Sequence, residues 1–338
     1  MNENSVPATR ERSRVALVTC DRIPELDHDD RLVVPALREH GVEAVSVVWD
    51  APAVDWASFA LAVIRSPWDY VSRREQFVAW AGTVPRLANP ADVVAWNTDK
   101  RYLRDLAAAD VPVVPTTWVE PSDAWEPPPG GEVVVKPAVG AGSLDSGRYD
   151  LDRPEHRDLA AAHVARLQLA GRLAMVQPYL AAVDTYGETA LLFFPAGSGS
   201  GAGDIRSEER GDGVGRRRPP GTLGERSERG QQGLAFSHAV RKGAMLTGPD
   251  EGTEGLYKEE TIRPRTPLDA ELEIARAALA AVPGGADRLL YARVDLIPGP
   301  DDLPVLVELE LTEPSLFLGT AQGAPERFAE AIAARLLA

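Results

Sequence analysis

The residues best suited to chemistry lie on two carboxylate-bearing segments near the C-terminus, YARVDLI (291–297) and LVELEL (306–311). Side chains two positions apart lie on the same face of a strand. Arg293 and Asp295 would therefore share one face of the first strand, and Glu308 and Glu310 would share one face of the second. The turn PGPDDLP between the segments predicts an antiparallel hairpin. Crowded carboxylates need a cation among them, and hard oxygen ligands suit Mg²⁺ together with substrate phosphates. The alternative is a solvated outer face of alternating charge, which the otherwise apolar strands disfavour.

A second signal is the glycine-rich stretch VVVKPAVGAGSLDSG (133–147), in which a β-branched strand delivers Lys136. Gly140, Gly142, Ser143 and Gly147 follow in a loop whose backbone N–H groups would approach phosphate oxygens closely. Lys136 would supply a point charge to the same phosphates. The alternative is an ordinary glycine-rich turn. The P-loop pattern G-x-x-x-x-G-K-[ST] is absent.

Two further segments indicate a nucleotide site only in combination with the carboxylate strands and the glycine-rich loop. Lys100 in NTDK (97–100) would add a second lysine, with a solvated helical lysine as the alternative. The segment MVQPYL (175–180) is a strand that runs into a proline-stiffened end, which would present bare backbone groups to a flat base edge. A plain strand end is the other interpretation.

Two further segments contain candidate substrate contacts, and for each of them a purely structural role is the alternative. In HAVRK (238–242), alternation puts His238 and Lys242 on one face, either as a basic wall over phosphates or as a charged strand edge. In IRSPWDY (64–70), which follows a strand, Arg65 would grip a carboxylate and Trp68 would pack on the substrate. The alternative for this segment is a structural turn with a buried tryptophan.

Composition narrows the class of protein. The 338 residues carry a net charge of −15, from 36 basic and 51 acidic side chains, which disfavours nucleic-acid binding. A single cysteine, Cys20, permits no internal disulfide and predicts a reducing, cytoplasmic location. No apolar run near the start is long enough for a signal segment or a membrane span. The five histidines lack zinc-ligand spacing, and GSGSGAGD (197–204) lacks the dinucleotide-binding spacing.

The pattern of elements predicts an α/β (α+β) protein. Strands at 14–20, 43–49 and 59–66, with a helix at 29–41, predict an N-terminal parallel sheet. A helix at 97–110, capped by Asn97 or Thr98, comes next. The later pattern is meander-like β, with strands at 172–180, 188–194, 234–242, 289–297 and 304–311 and helices at 154–170, 268–282 and 325–337. Residues 196–233 contain almost no large apolar side chains and predict a disordered insertion.

Taken in order, these motifs resemble the ATP-grasp superfamily over about residues 95–318, with the insertion excluded. The α/β region before them is similar to the family's N-terminal substrate domain. In detail, FSHAVRKGAM, YARVDLI and LVELELTEPSLFL resemble the branch that contains the ATP-grasp ligase of D-cycloserine biosynthesis. The resemblance implies an N-terminal substrate domain (1–95) followed by the two lobes of an ATP-grasp fold (96–180 and 181–338).

The resemblance also implies a role for each candidate. ATP and Mg²⁺ (or Mn²⁺) would be the cofactors, and Arg293, Lys136 and Ser143 the catalytic residues. Many relatives have asparagine where this chain has Glu310, and the insertion lies near the nucleotide hinge, so both positions depart from the pattern. The implied ligands are Lys100 and Lys136 for the α and β phosphates, Gly140, Gly142 and Ser143 for the β and γ phosphates, Gln177, Tyr179 and Leu180 for adenine, Asp184 or Glu188 for the ribose, and Asp295, Glu308 and Glu310 for the metal.

The function implied by the resemblance is a carboxylate–amine ligase that acts through an acyl phosphate. The partners would be a small amino-acid-like carboxylate and an amine, either in two molecules or in one that closes a ring. A homodimer stays open as the oligomeric state. The alternatives are a non-catalytic nucleotide-binding or regulatory module and a kinase-like phosphotransferase on the same fold.

Overall fold

A parallel sheet opens the fold of the computed structural model, which describes residues 13–196, 233–250, 252, 256 and 260–337. Its strands run in the order β2-β1-β3-β4, and three of them confirm the strands predicted in this region. Gly41 follows the first helix with a φ of +72°, as expected for a glycine that ends a helix. The elements are β1 (Ser13–Thr19), α1 (Val33–Glu39), β2 (Val42–Val48), β3 (Leu61–Ser66), α2 (Arg74–Ala81), β4 (Leu87–Ala88) and α3 (Ala91–Asn97).

A second, antiparallel sheet carries the lysine of the glycine-rich segment. Its order is β5-β8-β6-β7, and Lys136 lies near the end of β6, opposite Met175 of β8. The helix predicted at 154–170 is confirmed and covers this sheet with an apolar face. The elements are α4 (Tyr102–Ala108), β5 (Thr117–Val119), β6 (Glu132–Pro137), β7 (Gly147–Asp150), α5 (Pro154–Leu169) and β8 (Ala174–Pro178).

A third sheet, also antiparallel, carries the carboxylates. Its order is β11-β10-β9-β12-β13, and the predicted hairpin is confirmed, with Arg293 opposite Glu310 and Asp295 opposite Glu308. A register shift after Asp295 interrupts the pairing. The elements are α6 (Ala182–Tyr186), β9 (Glu188–Pro195), β10 (Leu234–Lys242), β11 (Ile262–Arg265), α7 (Asp269–Ala280), β12 (Ala292–Pro298), β13 (Pro304–Glu310) and α8 (Ala324–Leu337).

The third sheet is buried on both faces, which explains why its strands read as nearly continuous apolar runs. Leu191 and Phe193 of β9 face a core that includes α4 and α7. Their neighbours Leu192 and Phe194 face a second core that includes β1, β3, α1 and α8. The C-terminal helix therefore joins the first sheet to the third. Within the described residues, every helix is too short or too polar to cross a membrane.

The single helix expected at 97–110 is wrong. Helix α3 ends at Asn97, and α4 begins only at Tyr102. Asn97 caps nothing, because its amide donates to Leu309 O (2.7 Å) and accepts from Leu311 N (2.7 Å), tying the end of α3 to β13. Lys100 consequently lies in the turn between the two helices rather than on a helix.

Four strands were not predicted, β4, β5, β7 and β11. Strand β11 contains Pro264 and two arginines, a composition that is tolerated at the edge of a sheet, where β11 lies. The boundaries at residues 95 and 180 stay a prediction. The predicted insertion, apart from Ala196 and Gly233, lies outside the described residues.

Candidate active site

A cavity of about 380 Å³ brings together side chains from the second and third sheets and from segments that connect strands of the first sheet. Its wall includes the loop Gly140–Ser143, in which Gly142 and Ser143 both have left-handed φ angles, +60° and +56°. Consecutive left-handed residues turn the chain sharply beside the cavity. The predicted site residues in the lining are Trp68, Lys100, Lys136, Gly140, Gly142, Ser143, Lys242, Arg293, Glu308 and Glu310.

Lys100 links the loop to the carboxylate strand. Its Nζ donates to Gly140 O (2.7 Å) and lies 2.9 Å from Glu308 Oε1. Burial disfavours its charged form, but the Glu308 carboxylate outweighs burial and raises the pKa of Lys100. Burial likewise disfavours an ionised Glu308, and the charges of Lys100 and Lys136 outweigh it to lower the pKa of Glu308.

Lys136 is different, because it makes no ion pair with any residue that the structure describes. Within the described part of the chain, no carboxylate lies within ion-pair distance of its Nζ. Burial lowers the pKa of Lys136; the attraction of Glu308 opposes this shift, while Lys100 and Lys242 repel the ammonium group. A cation in this position is stabilised by an anion that enters the cavity.

The floor of the cavity is an ion-pair network. Asp295 accepts from Arg293 Nε (2.9 Å) and Lys242 Nζ (3.1 Å), and Lys242 also pairs with Glu188 at 2.5 Å. Burial opposes ionisation of Asp295, but Arg293 and Lys242 hold its pKa below the usual range. Burial raises the pKa of Glu188 to about 7, in spite of Lys242.

The carboxylates supply hard oxygen donors of the kind that Mg²⁺ takes. Glu308 and Glu310 line the cavity, and burial raises the pKa of Glu310 to about 8 although Arg293 pairs with it. A further cation beside these two groups would relieve that cost. Asp295 lies beneath them and is 1% exposed. Among the described residues, no three acidic, histidine or cysteine side chains already form a metal-binding cluster.

A smaller cavity of about 140 Å³ adjoins the first, and Lys136, Ser143, Lys242 and Glu308 line both. Apolar groups such as Val134 and Leu246 give this pocket walls that suit a flat aromatic ring. Asp184 is not in its lining, because its carboxylate binds Arg148 and the Tyr179 hydroxyl at the surface. The predicted residues in the lining are Gln177, Tyr179, Leu180 and Glu188.

The structure corrects the expectation that Arg65 grips a substrate carboxylate. Its side chain is fully buried, pairs with Asp30 at 2.9 Å and donates to Pro314 O at 2.5 Å. The guanidinium also stacks over the Tyr291 ring, with 5.1 Å to the centroid. Arg65 lines neither cavity, and it anchors the chain that follows β13.

His238 is the second candidate that the structure separates from the site. Its Nε2 lies 2.9 Å from Leu316 O and its Nδ1 2.9 Å from Ser237 Oγ, near Phe194 in the core beneath α8. Lys242, at the other end of β10, lines the cavity. The basic wall expected from both side chains therefore contains only Lys242 of the pair.

Sequence reasoning missed Glu313, which lines the larger cavity. Its Oε1 accepts from the Tyr70 hydroxyl at 2.6 Å, and Trp68 Nε1 donates to its backbone oxygen at 3.1 Å. Burial raises the pKa of Glu313 to about 7. The available signal was a glutamate three positions after the end of the carboxylate strand. Asp27, Asp29 and Glu260 also line the cavity and were not predicted.

Comparison with known proteins agrees with this architecture. A family model described as the N-terminal domain of D-cycloserine synthetase DcsG matches residues 15–89. The cycloserine biosynthesis protein DcsG of Streptomyces lavendulae is 38% identical over 340 residues, which cover 95% of this chain and 98% of that protein.

Solved structures show the same relationship. The crystal structure of D-cycloserine synthetase DcsG matches with a TM-score of 0.74 and 33% identity, over 96% of this chain and 100% of that one. A RimK domain ATP-grasp protein from Sphaerobacter thermophilus matches with a TM-score of 0.56 and 17% identity, over 96% and 100% of the two chains.

The fold and the family together define an ATP-grasp ligase, an enzyme class that forms carbon–nitrogen bonds. The chain belongs to the family of D-cycloserine synthetase DcsG.

Proposed function

We propose that this protein uses ATP to activate the carboxylate of a small amino-acid-like substrate as an acyl phosphate, which an amine then attacks. The observation that carries this proposal is that Lys136, which has no ion pair among the described residues, lies beside Lys100 and Lys242 in one cavity. Three lysines that converge on a space with a glycine-rich loop favour a polyphosphate ligand.

We assign ATP to the two adjoining cavities. Gln177, Tyr179 and Leu180 would frame the adenine in the smaller one, and Glu188 at its edge would reach the ribose. The phosphates would then extend past Lys136 toward Lys100 and the loop Gly140–Ser143. Two proteins of similar fold support this placement, a D-alanine–D-alanine ligase from Bacillus anthracis solved with ATP and the ATP-grasp ligase PsnB solved with Mg and ADP.

We assign a divalent cation, Mg²⁺ rather than Mn²⁺, to Glu308 and Glu310. Their oxygens face the cavity, and carboxylates together with phosphates are the usual magnesium ligands. Asp295 would join them only if its bonds to Arg293 and Lys242 loosened. The cation would neutralise charge on the phosphates, which phosphoryl transfer requires.

Positioning and charge neutralisation would do most of the catalytic work. Lys100 and Lys136 would hold the phosphates, and Ser143 with the loop N–H groups would cover the transferred phosphoryl group. Arg293, already fixed by Asp295 and Glu310, would steady the acyl phosphate. A covered cavity would also keep water from the activated carboxylate.

The names of the relatives favour ring closure within one molecule. D-cycloserine contains an amide bond inside a five-membered ring, so a ligase that makes it must join a carboxylate and a nitrogen of the same chain. Opening that amide gives O-amino-D-serine, which has both groups. A small cavity beside the phosphates fits a substrate of this size.

Product analysis tests the proposal. Purified full-length protein is incubated with ATP, Mg²⁺ and O-amino-D-serine within a panel of D- and L-amino acids. A ligase gives ADP, phosphate and the cyclic amide, and hydroxylamine converts the acyl phosphate of a non-cyclising acid such as O-methyl-D-serine to a hydroxamate. A stable phosphorylated product would instead show a kinase-like enzyme. The absence of ADP with every member of the panel would show a non-catalytic protein.

A further inference from the structure

Glu313 stands apart from the other glutamates of the larger cavity. Glu308 pairs with Lys100, Glu310 with Arg293, and Glu260 lies 3.8 Å from Lys242. In the described part of the chain, Glu313 has no such cation partner, and its carboxylate accepts a hydrogen bond from a neutral tyrosine. Among the described glutamates of this cavity, Glu313 is therefore the one without a cation partner.

The surroundings of Glu313 fix it in place. Tyr70 donates to Oε1 at 2.6 Å, Trp68 Nε1 donates to the Glu313 carbonyl, and Arg65 donates to the carbonyl of the next residue, Pro314. Tyr70 is 2% exposed and its own pKa is raised well above the usual range, by burial and by Glu313. Tyr70 therefore remains the donor, and any proton that arrives from the cavity stays on Glu313.

We propose that Glu313 is the general base of the second half-reaction, fixed by Tyr70, and this rests on the proposed ligase function. The attacking nitrogen forms its bond to the acyl carbon while the carbon–oxygen bond to phosphate breaks, and that electron pair leaves with the phosphate. The nitrogen proton moves to a Glu313 oxygen. It then leaves with inorganic phosphate as the monohydrogen form, which restores the carboxylate.

The charges around Glu313 make this assignment consistent with neutral pH. Burial raises its pKa to about 7; the Tyr70 hydroxyl, Lys100 and Arg293 favour the charged form, and Glu308 opposes it. A base with a pKa near the working pH is the most effective proton acceptor. The ionised fraction of Glu313 would decrease below pH 7, and amide formation would decrease with it.

The test separates the two half-reactions in the full-length protein. Glu313→Gln retains an oxygen that accepts from Tyr70, so the fold and the cavity shape should persist. Rapid-quench measurement of ADP in the first turnover reports carboxylate activation, and release of D-cycloserine from O-amino-D-serine reports ring closure. We expect Glu313→Gln to slow ring closure about 100-fold and to leave the ADP burst within about threefold of the wild type. Glu39→Gln, an exposed change on α1, is the matched control and should alter neither rate.

The pH profile distinguishes a base from a structural group. Wild-type ring closure should lose rate below about pH 7, and Glu313→Gln should lack this acidic limb. Tyr70→Phe removes a donor that favours the ionised carboxylate, so it should move the limb to higher pH.

Two results would overturn the proposal in different ways. If Glu313→Gln lowers the ADP burst as much as ring closure, Glu313 serves substrate binding or phosphorylation instead. If the wild type forms no ADP with O-amino-D-serine or O-methyl-D-serine, the proposed function itself fails and the base assignment fails with it.

Discussion

Lys100 Nζ lies 2.9 Å from Glu308 Oε1, so a lysine in the turn after α3 meets a carboxylate on β13. The two side chains are 11% and 25% exposed, which shields the pair from water. This contact joins the phosphate-binding candidates to the metal-binding candidates in one cavity. Its strength can be measured directly.

A double-mutant cycle should find real coupling between these two residues. We expect Lys100→Met and Glu308→Gln each to lower the free energy of unfolding by about 2 kcal/mol, because each leaves a partly buried partner uncompensated. The double variant should lose less than the sum, with a coupling of about 1 kcal/mol or more. Urea unfolding provides the measurement. The exposed pair Arg14–Glu43, at 4.0 Å, is the control and should couple by less than about 0.5 kcal/mol; equal coupling in both pairs would contradict the account.

Lys136 should behave in the opposite way in the absence of nucleotide. Because this lysine has no ion pair among the described residues and burial lowers its pKa, Lys136→Met should leave the free energy of unfolding unchanged or raise it by about 1 kcal/mol. Thermal unfolding without ligand checks this, with Lys100→Met as the comparison. A loss for Lys136→Met as large as that for Lys100→Met would show that Lys136 already has a partner in the empty protein.

Arg65 should be a stability residue rather than a substrate contact. Arg65→Met leaves Asp30, which is 3% exposed, as an uncompensated buried carboxylate and should cost about 3–5 kcal/mol. Replacing both residues, with Asp30→Asn, should recover part of the loss. Denaturant unfolding is the measurement, and Arg31→Met, at an exposed neighbouring position, is the control. A loss no greater than that of the control would contradict the structural role.

His163 should make the protein sensitive to acid. It is 2% exposed and lies 2.8 Å from the Tyr149 hydroxyl, and burial lowers its pKa to about 4. Between about pH 6.5 and pH 4 the unfolded chain binds a proton there and the folded protein does not, so stability falls as the pH falls.

The measurement compares unfolding free energies at pH 7 and pH 4.5 for the wild type and His163→Gln. The variant should lose less stability over this interval, by on the order of 1–2 kcal/mol. His40→Gln, at an exposed site, should follow the wild type. An identical pH dependence in His163→Gln and the wild type would contradict a neutral buried imidazole.

Local patterns in the sequence predicted the strands and the loop that carry most of the candidate residues. The hairpin with Arg293, Asp295, Glu308 and Glu310 follows from strand alternation and a short turn, both of which involve neighbouring residues. The position of Lys136 at the end of a strand, and the loop after it, were predicted from a β-branched run that is followed by glycines. These features are encoded within a few positions, so they can be identified without the fold.

The predictions that were wrong or missing concern residues whose contacts are distant in the sequence. Asn97 has the residue type of a helix cap, but its partners Leu309 and Leu311 lie more than two hundred positions away. Arg65 follows a buried strand as a ligand-binding residue would, and only the packing of Asp30 and Tyr291 around it shows that it is internal. Glu313 was missed for the same reason, because the residue that holds its carboxylate, Tyr70, lies in the segment after β3 of the first sheet.

The most direct test of the central claim is calorimetric titration of ATP with Mg²⁺ into the wild type and Lys136→Met, with the exposed Arg38→Ala as control. The cavity predicts saturable binding to the wild type and to Arg38→Ala, and at least tenfold weaker binding to Lys136→Met, a loss of about 1.4 kcal/mol or more. No heat of binding in the wild type, or equal affinity in Lys136→Met, would contradict the placement of the phosphates between the lysines and the carboxylate hairpin.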